Sequence, residues 1–214
     1  MLVLNFIPIR KHHNHINKLN KFLIVGLGNI GDEYSFTRHN IGFEIADTLV
    51  KSLQGEENKT NEKLFTNDKL AFVNHSKYRG KQIVTIKPTT YMNLSGKSVN
   101  YWLQSEKIPL ASLLVITDDL ALPFGTLRMK KKGSDGGHNG LADIAITLNS
   151  TEYIRLRFGI GSNFSKGHQV NYVLNRWDKE EQKILPERID IAVEMIKSFV
   201  INGVDRTMTL FNNK

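Results

Sequence analysis

Apolar residues form two kinds of run along this chain, and each kind predicts a different element. The nearly continuous runs FLIV at residues 22–25 and LLVIT at residues 113–117 are typical of strands buried in the centre of a sheet. Residues 153–161 alternate apolar and basic side chains, which indicates a half-exposed strand. Weaker patterns predict three more strands: one at residues 63–76, one at residues 82–87, and a short one that ends in the lysines of residues 130–132.

Helices are predicted where apolar residues recur every three or four positions. Ile41, Ile45, Leu49 and Leu53 form one such stripe, and Asn40 has the side chain of an N-cap immediately before it. Similar stripes predict further helices: one capped by Ser95 that buries Val99, Trp102 and Leu103, one over residues 141–148, one over residues 189–200 that stops at Asn202-Gly203, and one over residues 204–211. Strands and helices alternate, so the sequence predicts a single α/β domain with a mixed, twisted central sheet flanked by helices.

Residues 1–20 differ from the rest of the chain. They contain no acidic residue and include a run rich in Asn, His and Lys, so we expect a disordered extension before one domain spanning residues 21–214. The apolar part of this segment precedes its basic part and no small-residue cleavage site follows, which disfavours a signal peptide. His12, His13 and His15 fit a solvated tail better than a metal site. A charged loop is expected at residues 55–61.

Composition narrows the functional classes. The chain has 214 residues and no cysteine, so it has no disulfide framework, no thiolate metal site and no cysteine nucleophile. Its formal net charge of +8 favours a polyanionic partner, although a basic solvated tail also raises this count. No apolar run approaches the length of about 20 residues that a membrane span needs.

A glycine-rich turn follows the first buried strand and has two interpretations. Gly26, Gly28 and Gly31 have the spacing of the dinucleotide-binding fingerprint. That fingerprint requires a helix whose N-terminus meets the pyrophosphate, but Asp32 and Glu33 follow here and helical spacing resumes only at Ile41. The dinucleotide hypothesis therefore fails on context.

Polar side chains with potential catalytic roles gather where predicted strands end and helices begin. Because such positions converge at the carboxyl edge of an α/β sheet, we expect them to form one site. They are Asn29, His39, Asn93, Asp118, His138 and Asn139. Two histidines, an aspartate and three amides, without an activated serine or cysteine, indicate water attacking a neutral carbonyl.

Each of these residues also has a purely structural explanation when it is taken alone. Asn29 is compatible with a turn residue of positive φ, and Asn93 and Asn139 are compatible with helix caps. His39 alone is more often structural than catalytic, Asp118 can close a strand end, and residues 130–132 can form a solvated edge. The whole set, rather than any single member, favours a functional site.

Four segments, spread in order along the chain, resemble the signatures of bacterial-type peptidyl-tRNA hydrolases. Later segments, at residues 155–161 and 170–174, fit the same family, so the resemblance covers roughly residues 22–212. The four segments are VGLGNIGDEY with TRHNIG (residues 25–34 and 37–42), KPTTYMNLSG (87–96), DDLALP (118–123) and GGHNG (136–140).

The resemblance implies a peptidyl-tRNA hydrolase-like (phosphorylase-like) fold and hydrolysis of the ester between a peptide and tRNA, which recycles the tRNA. By similarity, His39 is the general base and Asp118 orients it. Asn93 and Asn139 position the substrate, with His138 beside them, and Asn29 recognises the peptide bond that distinguishes peptidyl-tRNA from aminoacyl-tRNA.

The family also implies how tRNA is held. Tyr34 and Tyr91 match positions that pack on the terminal nucleotide, and Lys130 and Arg157 match a pair of cations that bind tRNA phosphates. The expected partner is the 3′ CCA end and acceptor stem of peptidyl-tRNA. The resemblance further implies a cytoplasmic monomer without a cofactor, a metal or a membrane contact.

A few positions depart from the family pattern, and two alternative functions stay open. Ile30 stands where a proline is usual, Thr117, Ala121 and Phe124 replace a histidine, an acid and a proline, and Ser162-Asn163 replaces a His-Pro pair. One alternative is a catalytically silent RNA-binding relative, which the retained His39, Asp118 and Asn93 disfavour. The other is a nucleoside- or dinucleotide-handling enzyme, which should show helix starts that bind phosphate.

Overall fold

The computed structural model describes residues 20–54 and 64–212. The extension predicted over residues 1–20 lies outside the described residues except for Asn20, and the charged loop predicted at residues 55–61 lies outside them entirely. Within the described residues, no helix is both long enough and apolar enough to cross a membrane.

A mixed sheet organises the molecule, as the sequence predicts, and it has seven strands rather than the six predicted. Its strand order is β2-β3-β4-β1-β5-β7-β6, in which the β1–β4, β1–β5 and β5–β7 pairs are parallel and the other pairs are antiparallel. The strands are β1 (Lys21–Gly26), β2 (Thr66–Asp68), β3 (Ala71–Tyr78), β4 (Lys81–Pro88), β5 (Leu113–Asp119), β6 (Leu127–Lys130) and β7 (Ile154–Gly159).

Helices cover both faces of this sheet. In the described residues they are α1 (Ile41–Gln54), α2 (Ser95–Ser105), α3 (Asn139–Leu148), α4 (Gln169–Leu174), α5 (Lys179–Asn202) and α6 (Val204–Phe211). Successive side chains of β1 point to opposite faces, so Phe22 and Ile24 join the core beneath α1 and α5, whereas Leu23 and Val25 join the core beneath α2 and α3. The sheet is therefore buried on both sides, which explains the continuous apolar run in β1.

Two predicted elements have different bounds from those observed. The strand predicted at residues 63–76 is interrupted by a tight turn, where Leu70 has a φ of 62°, and becomes β2 and β3. The long helix α5 begins at Lys179, ten residues before the predicted stripe. Asp178 caps it, with its carboxylate accepting hydrogen bonds from the backbone N–H groups of Glu180 and Glu181, and Pro186 lies inside it.

Both helix caps predicted from side-chain type are wrong. Asn40 ends a short 3-10 helix (Arg38–Asn40), and its side chain bonds the backbone of Asn29 instead of capping α1. Ser95 is the first residue of α2 rather than its cap, and its hydroxyl donates to the carbonyl of Met92. Asn40 is engaged by a partner 11 residues away and Ser95 by a carbonyl three residues before it, so in each case another hydrogen bond replaces the predicted cap.

A close contact between two glycines fixes the start of α1 against the end of β1. A Cβ atom at Gly26 would lie 2.2 Å from the carbonyl oxygen of Gly42, and one at Gly42 would lie 2.4 Å from the carbonyl oxygen of Leu27. Only glycine fits at both positions. This contact holds the turn that carries His39 directly over the carboxyl end of β1.

Candidate active site

A cavity of about 340 Å³ opens at the carboxyl ends of the parallel strands β5 and β7 and beside the turn after β1. This is the edge at which α/β proteins place their ligands. Seven of the residues predicted for the site line it: Asn29, His39, Asp118, Lys130, His138, Asn139 and Arg157.

The side chains of His39 and Asp118 are in direct contact. Nδ1 of His39 lies 2.9 Å from Oδ1 of Asp118, and both side chains are largely buried. A carboxylate can only accept, so Nδ1 of His39 carries the proton and donates it. This leaves Nε2 as the unprotonated nitrogen of a neutral His39, and no described residue forms a hydrogen bond with that atom.

His138 contacts the same carboxylate oxygen from the other side. Its Nε2 lies 3.1 Å from Oδ1 of Asp118, while its Nδ1 accepts hydrogen bonds from the backbone N–H groups of Gly140 and Leu141. Two donors directed at Nδ1 require a lone pair there, so the ring proton is on Nε2 and is donated to Asp118. His138 is therefore both the N-cap of α3 and a fixed donor to Asp118.

This arrangement shifts the proton affinities of the pair. Burial, the largest effect, lowers the pKa of His39, but the charge of Asp118 and its hydrogen bond outweigh burial and leave that pKa above its ordinary value. Burial alone would raise the pKa of Asp118. The charges that His39 and His138 can carry, and their hydrogen bonds, instead hold that pKa well below its usual range. Asp118 is thus an anion at neutral pH.

His39, Asp118 and His138 also have the side-chain types and spacing of a metal site, since one ligand atom from each lies within 4.8 Å of the others. The hydrogen bonds oppose this interpretation. A metal ligand at Nε2 of His138 would need its lone pair there, which would move the ring proton to Nδ1 against two backbone N–H donors. The three side chains therefore fit an arrangement in which both histidines donate hydrogen bonds to Asp118, and they do not fit a bound cation.

Asn29 and Asn139 both present free amides to the cavity. The backbone of Asn29 is held on both sides by Asn40, whose Oδ1 accepts from the N–H of Asn29 at 2.8 Å and whose Nδ2 donates to its carbonyl at 2.9 Å. Neither Asn29 nor Asn139 makes a side-chain hydrogen bond to a described residue. Asn29 does not have a positive φ, so the alternative of a left-handed turn residue is excluded.

Two cations face the cavity at its rim. The ammonium of Lys130 has no ion-pair partner among the described residues, in contrast to Lys131 and Lys132, which pair with Asp205 and Glu152. The guanidinium of Arg157 is held at Nε by Oδ2 of Asp119. Both predicted cations therefore reach the same opening, although Arg157 has an acidic neighbour that the sequence analysis did not anticipate.

Three predicted residues lie outside the cavity lining. The side chain of Asn93 is exposed, and the buried Met92 beside it lines the cavity instead. Tyr91 is 73% exposed and Tyr34 is half-buried, and neither ring is part of the cavity lining. The sequence analysis also missed the apolar wall that α4 contributes through Val170, Val173 and Leu174, because six residues are too few to show a helical stripe.

Three of the departures from the family pattern lie near Asp118 and leave its contact with His39 intact. Thr117 is buried, and its hydroxyl donates to the carbonyl of Asp118. The backbone N–H of Ala121 donates to Asp119, and Phe124 packs against Phe158 and Trp177. These residues shape the loop after β5 without displacing Asp118.

The chain after Gly31 does not have the helix that dinucleotide binding requires. After Gly31 the chain forms a single 3-10 turn (Asp32–Tyr34) in place of the phosphate-binding α-helix, and α1 starts only at Ile41. Ser134 also lines the cavity, but no hydrogen bond joins it to His39 in the described part of the chain. The fold and cavity together define an α/β protein whose cavity contains a histidine bound to a buried carboxylate and, among the described residues, no serine hydrogen-bonded to that histidine.

Comparisons with known proteins agree with this class. A family model described as peptidyl-tRNA hydrolase matches residues 23–214. Peptidyl-tRNA hydrolases of Parabacteroides distasonis and Cytophaga hutchinsonii are 52% and 53% identical over 194 residues, which cover 91% of this chain and 100% and 99% of the relatives. The crystal structure of peptidyl-tRNA hydrolase from Acinetobacter baumannii has a TM-score of 0.81 at 34% identity and covers 91% of this chain and 95% of that chain. The chain belongs to the peptidyl-tRNA hydrolase family.

Proposed function

We propose that His39 is the general base of this peptidyl-tRNA hydrolase and activates the water that cleaves the ester between peptide and tRNA. The observation that carries this proposal is the 2.9 Å contact between Nδ1 of His39 and Oδ1 of Asp118. Because that contact fixes the proton on Nδ1, Nε2 has the lone pair needed to accept a proton from water. The raised pKa makes the imidazole a stronger base once the pH is high enough to deprotonate it.

The proposed reaction has two steps. The water oxygen bonds to the ester carbonyl carbon while Nε2 of His39 takes a proton from that water, giving a tetrahedral oxyanion. The intermediate then collapses, the bond to the ribose oxygen breaks, and the imidazolium of His39 returns its proton to that leaving oxygen. Free peptide and free tRNA are the products, and Asp118 stabilises the imidazolium between the two steps.

The free amides of the cavity supply substrate contacts in this proposal. The amide of Asn139 lies on the lining beside His138 and is suited to donate a hydrogen bond to the developing oxyanion. Asn29 is suited to pair with the last peptide bond, because its amide both donates and accepts. The exposed Asn93 contacts substrate outside the cavity in this proposal, and the apolar wall of Met92, Val170 and Val173 receives the side chain next to the ester.

The tRNA end is proposed to cross the rim of the cavity. Lys130 and Arg157 contact phosphates, which is consistent with the net charge of +8. Tyr91 is exposed enough to stack on the terminal base of the CCA end, and Tyr34 lines its path. We further propose that the protein acts in the cytoplasm as a monomer and needs no cofactor, because water and side chains supply every group in this mechanism.

The experiment that tests this proposal is hydrolysis of an N-acetylated aminoacyl-tRNA. Release of the N-acetyl amino acid and intact tRNA at catalytic enzyme concentrations is expected, with kcat/KM falling as the pH drops through the raised pKa of His39. Binding of the same tRNA without release would instead identify a silent RNA-binding protein. A rate independent of pH from 5 to 9 would exclude His39 as the titrating base.

A further inference from the structure

We infer that Asp119 is a positioning residue that aims the guanidinium of Arg157 at a phosphate of the tRNA end. This inference rests on the proposed phosphate contact of Arg157 and assigns a role to the second aspartate of the Asp118-Asp119 pair. Charge alone predicts that Asp119 weakens tRNA binding, because an acid at the rim of a tRNA-binding cavity repels phosphate. The contacts of Asp119 favour the positioning role over simple repulsion.

The carboxylate of Asp119 is itself held in place. Its Oδ1 accepts a hydrogen bond from the backbone N–H of Ala121 at 2.8 Å, in the turn that leaves β5. Its Oδ2 contacts Nε of Arg157, and the Asp119 side chain is only 11% exposed. An anchored carboxylate of this kind fixes the direction of the guanidinium it binds.

Asp119 occupies one edge of the guanidinium and leaves the other free. It contacts Nε, and neither terminal nitrogen of Arg157 makes a hydrogen bond to any residue in the described part of the chain. Arg157 is 21% exposed and lines the cavity together with Lys130. The two terminal nitrogens form the planar fork that binds phosphate oxygens in pairs, so the free edge is the one suited to a phosphate.

Another arginine on the same strand shows what a structural role looks like. Arg155 is almost fully buried, and its terminal nitrogens bind the carbonyl groups of Gly133 and Thr151. Its fork is therefore occupied by backbone. Arg157, two residues later, makes no hydrogen bond from its fork to any residue that the structure describes, and its Nε is held by an acid, which is the arrangement expected of an oriented ligand-binding group.

Orientation lowers the cost of binding. A free arginine loses side-chain conformational entropy when it grips a phosphate, whereas a guanidinium already held at Nε loses less. The repulsion between Asp119 and phosphate is reduced because Arg157 lies between them. We therefore expect the positioning effect to exceed the repulsion.

The test is the sign of the change in tRNA affinity when the charge of Asp119 is removed. In Asp119→Asn, the acceptor for the N–H of Ala121 remains and the charged partner of Arg157 is lost. We expect uncharged tRNA to bind about three- to tenfold more weakly, with the salt slope of log Kd reduced by about one. With N-acetylated aminoacyl-tRNA as substrate, KM should rise and kcat should be nearly unchanged.

The matched control is Glu152→Ala, which removes an acid paired with Lys132 and does not touch Arg157. It should leave tRNA affinity unchanged or raise it slightly. Arg157→Ala should weaken binding by itself, and adding Asp119→Asn to it should weaken binding no further, because the positioned group is absent.

Two outcomes contradict the inference and are distinguishable. If Arg157→Ala weakens binding but Asp119→Asn leaves it unchanged or tightens it, Asp119 is only a repulsive neighbour and the proposed phosphate contact stands. If Arg157→Ala has no effect on affinity or on the salt slope, the phosphate contact of Arg157 fails and the role of Asp119 fails with it.

Discussion

The side chain of Asn40 holds both backbone polar groups of Asn29. Its Oδ1 accepts from the N–H of Asn29 at 2.8 Å and its Nδ2 donates to the carbonyl at 2.9 Å. Asn40 directly follows His39, so one amide fixes the distance between the proposed base and the proposed peptide-recognition residue. Asn40 is therefore a structural link within the site, although it has no direct access to the cavity lining.

Replacing Asn40 should uncouple these two residues. Asn40→Ala removes both hydrogen bonds and leaves the backbone of Asn29 unsatisfied, which should lower kcat/KM on N-acetylated aminoacyl-tRNA by about tenfold or more. Asn40→Asp keeps the acceptor and loses the donor, so its rate should fall between those of Asn40→Ala and the wild type. Uncharged tRNA should bind all three proteins equally. Wild-type rates in both variants would show that this link is not needed.

Asn29 itself should govern selectivity for a peptide bond. A free aminoacyl-tRNA has an ammonium where the substrate has an amide, so the side-chain amide of Asn29 loses its hydrogen-bond partner when the wrong molecule binds. We expect Asn29→Ala to lower kcat/KM on N-acetylated aminoacyl-tRNA much more than on the free form, which narrows the ratio between them. Equal losses on the two substrates would make Asn29 a scaffold residue and shift attention to Asn139.

The sequence predicted the sheet well because strands that are buried on both faces have continuous apolar runs. The runs at residues 22–25 and 113–117 are apolar on both faces, and the structure places them next to each other as β1 and β5. The sequence predicted the bounds of the strands and helices less well. The turn between β2 and β3 has no glycine or proline, and the first half of α5 has few apolar residues because its outer face is solvated.

The site was predictable as a set of residue types but not as a set of contacts. Parallel neighbouring strands bring His39 and Asp118 to one edge, which strand order can suggest. No pattern in the sequence shows that His138 donates to the same oxygen, that Asp119 holds Arg157, or that Asn40 holds Asn29. Each of these contacts depends on side-chain directions that only the packed structure defines.

His138 should affect catalysis and stability by separate routes. Asn is a good N-cap but is too short to reach Asp118, so His138→Asn should keep the stability of α3 and lose the donor to the carboxylate. His138→Ala should lose both, at an additional cost of about 1 kcal/mol in the free energy of unfolding. With one donor gone, Asp118 attracts the proton of His39 more strongly. The pH below which kcat/KM falls should therefore be higher in both variants than in the wild type. An unchanged pH profile would contradict the inference that the hydrogen bond from His138 to Asp118 influences the pKa of His39.

Glu44 should make folding less favourable as the pH rises. Burial raises the pKa of Glu44 from its ordinary value of 4.5 to about 7, while the nearby indole N–H of Trp177 partly opposes this and the nearby Asp47 adds to it. Between these values the folded chain holds a proton that the unfolded chain has lost. Stability contributed by the protonated form is thus present below pH 4.5 and is lost as the pH rises to about 7.

Glu44→Gln should remove this dependence. Relative to the wild type, the variant should gain about 2–3 kcal/mol in the free energy of unfolding between pH 4.5 and pH 8, measured by urea denaturation. Glu194→Gln changes an exposed carboxyl on α5 and serves as the control, for which little difference is expected. A constant gap between Glu44→Gln and the wild type across this range would show that Glu44 titrates normally.

The measurement that tests the central claim most directly is single-turnover hydrolysis of N-acetylated aminoacyl-tRNA by His39→Ala. Its control is His75→Ala, which removes a half-exposed imidazole that pairs with Glu106 on the surface. We predict that His39→Ala lowers the rate by at least about a hundredfold, keeps the affinity for uncharged tRNA and remains folded, whereas His75→Ala retains the wild-type rate. A His39→Ala enzyme that keeps more than a tenth or so of the wild-type rate would contradict the assignment of His39 as the base that activates water.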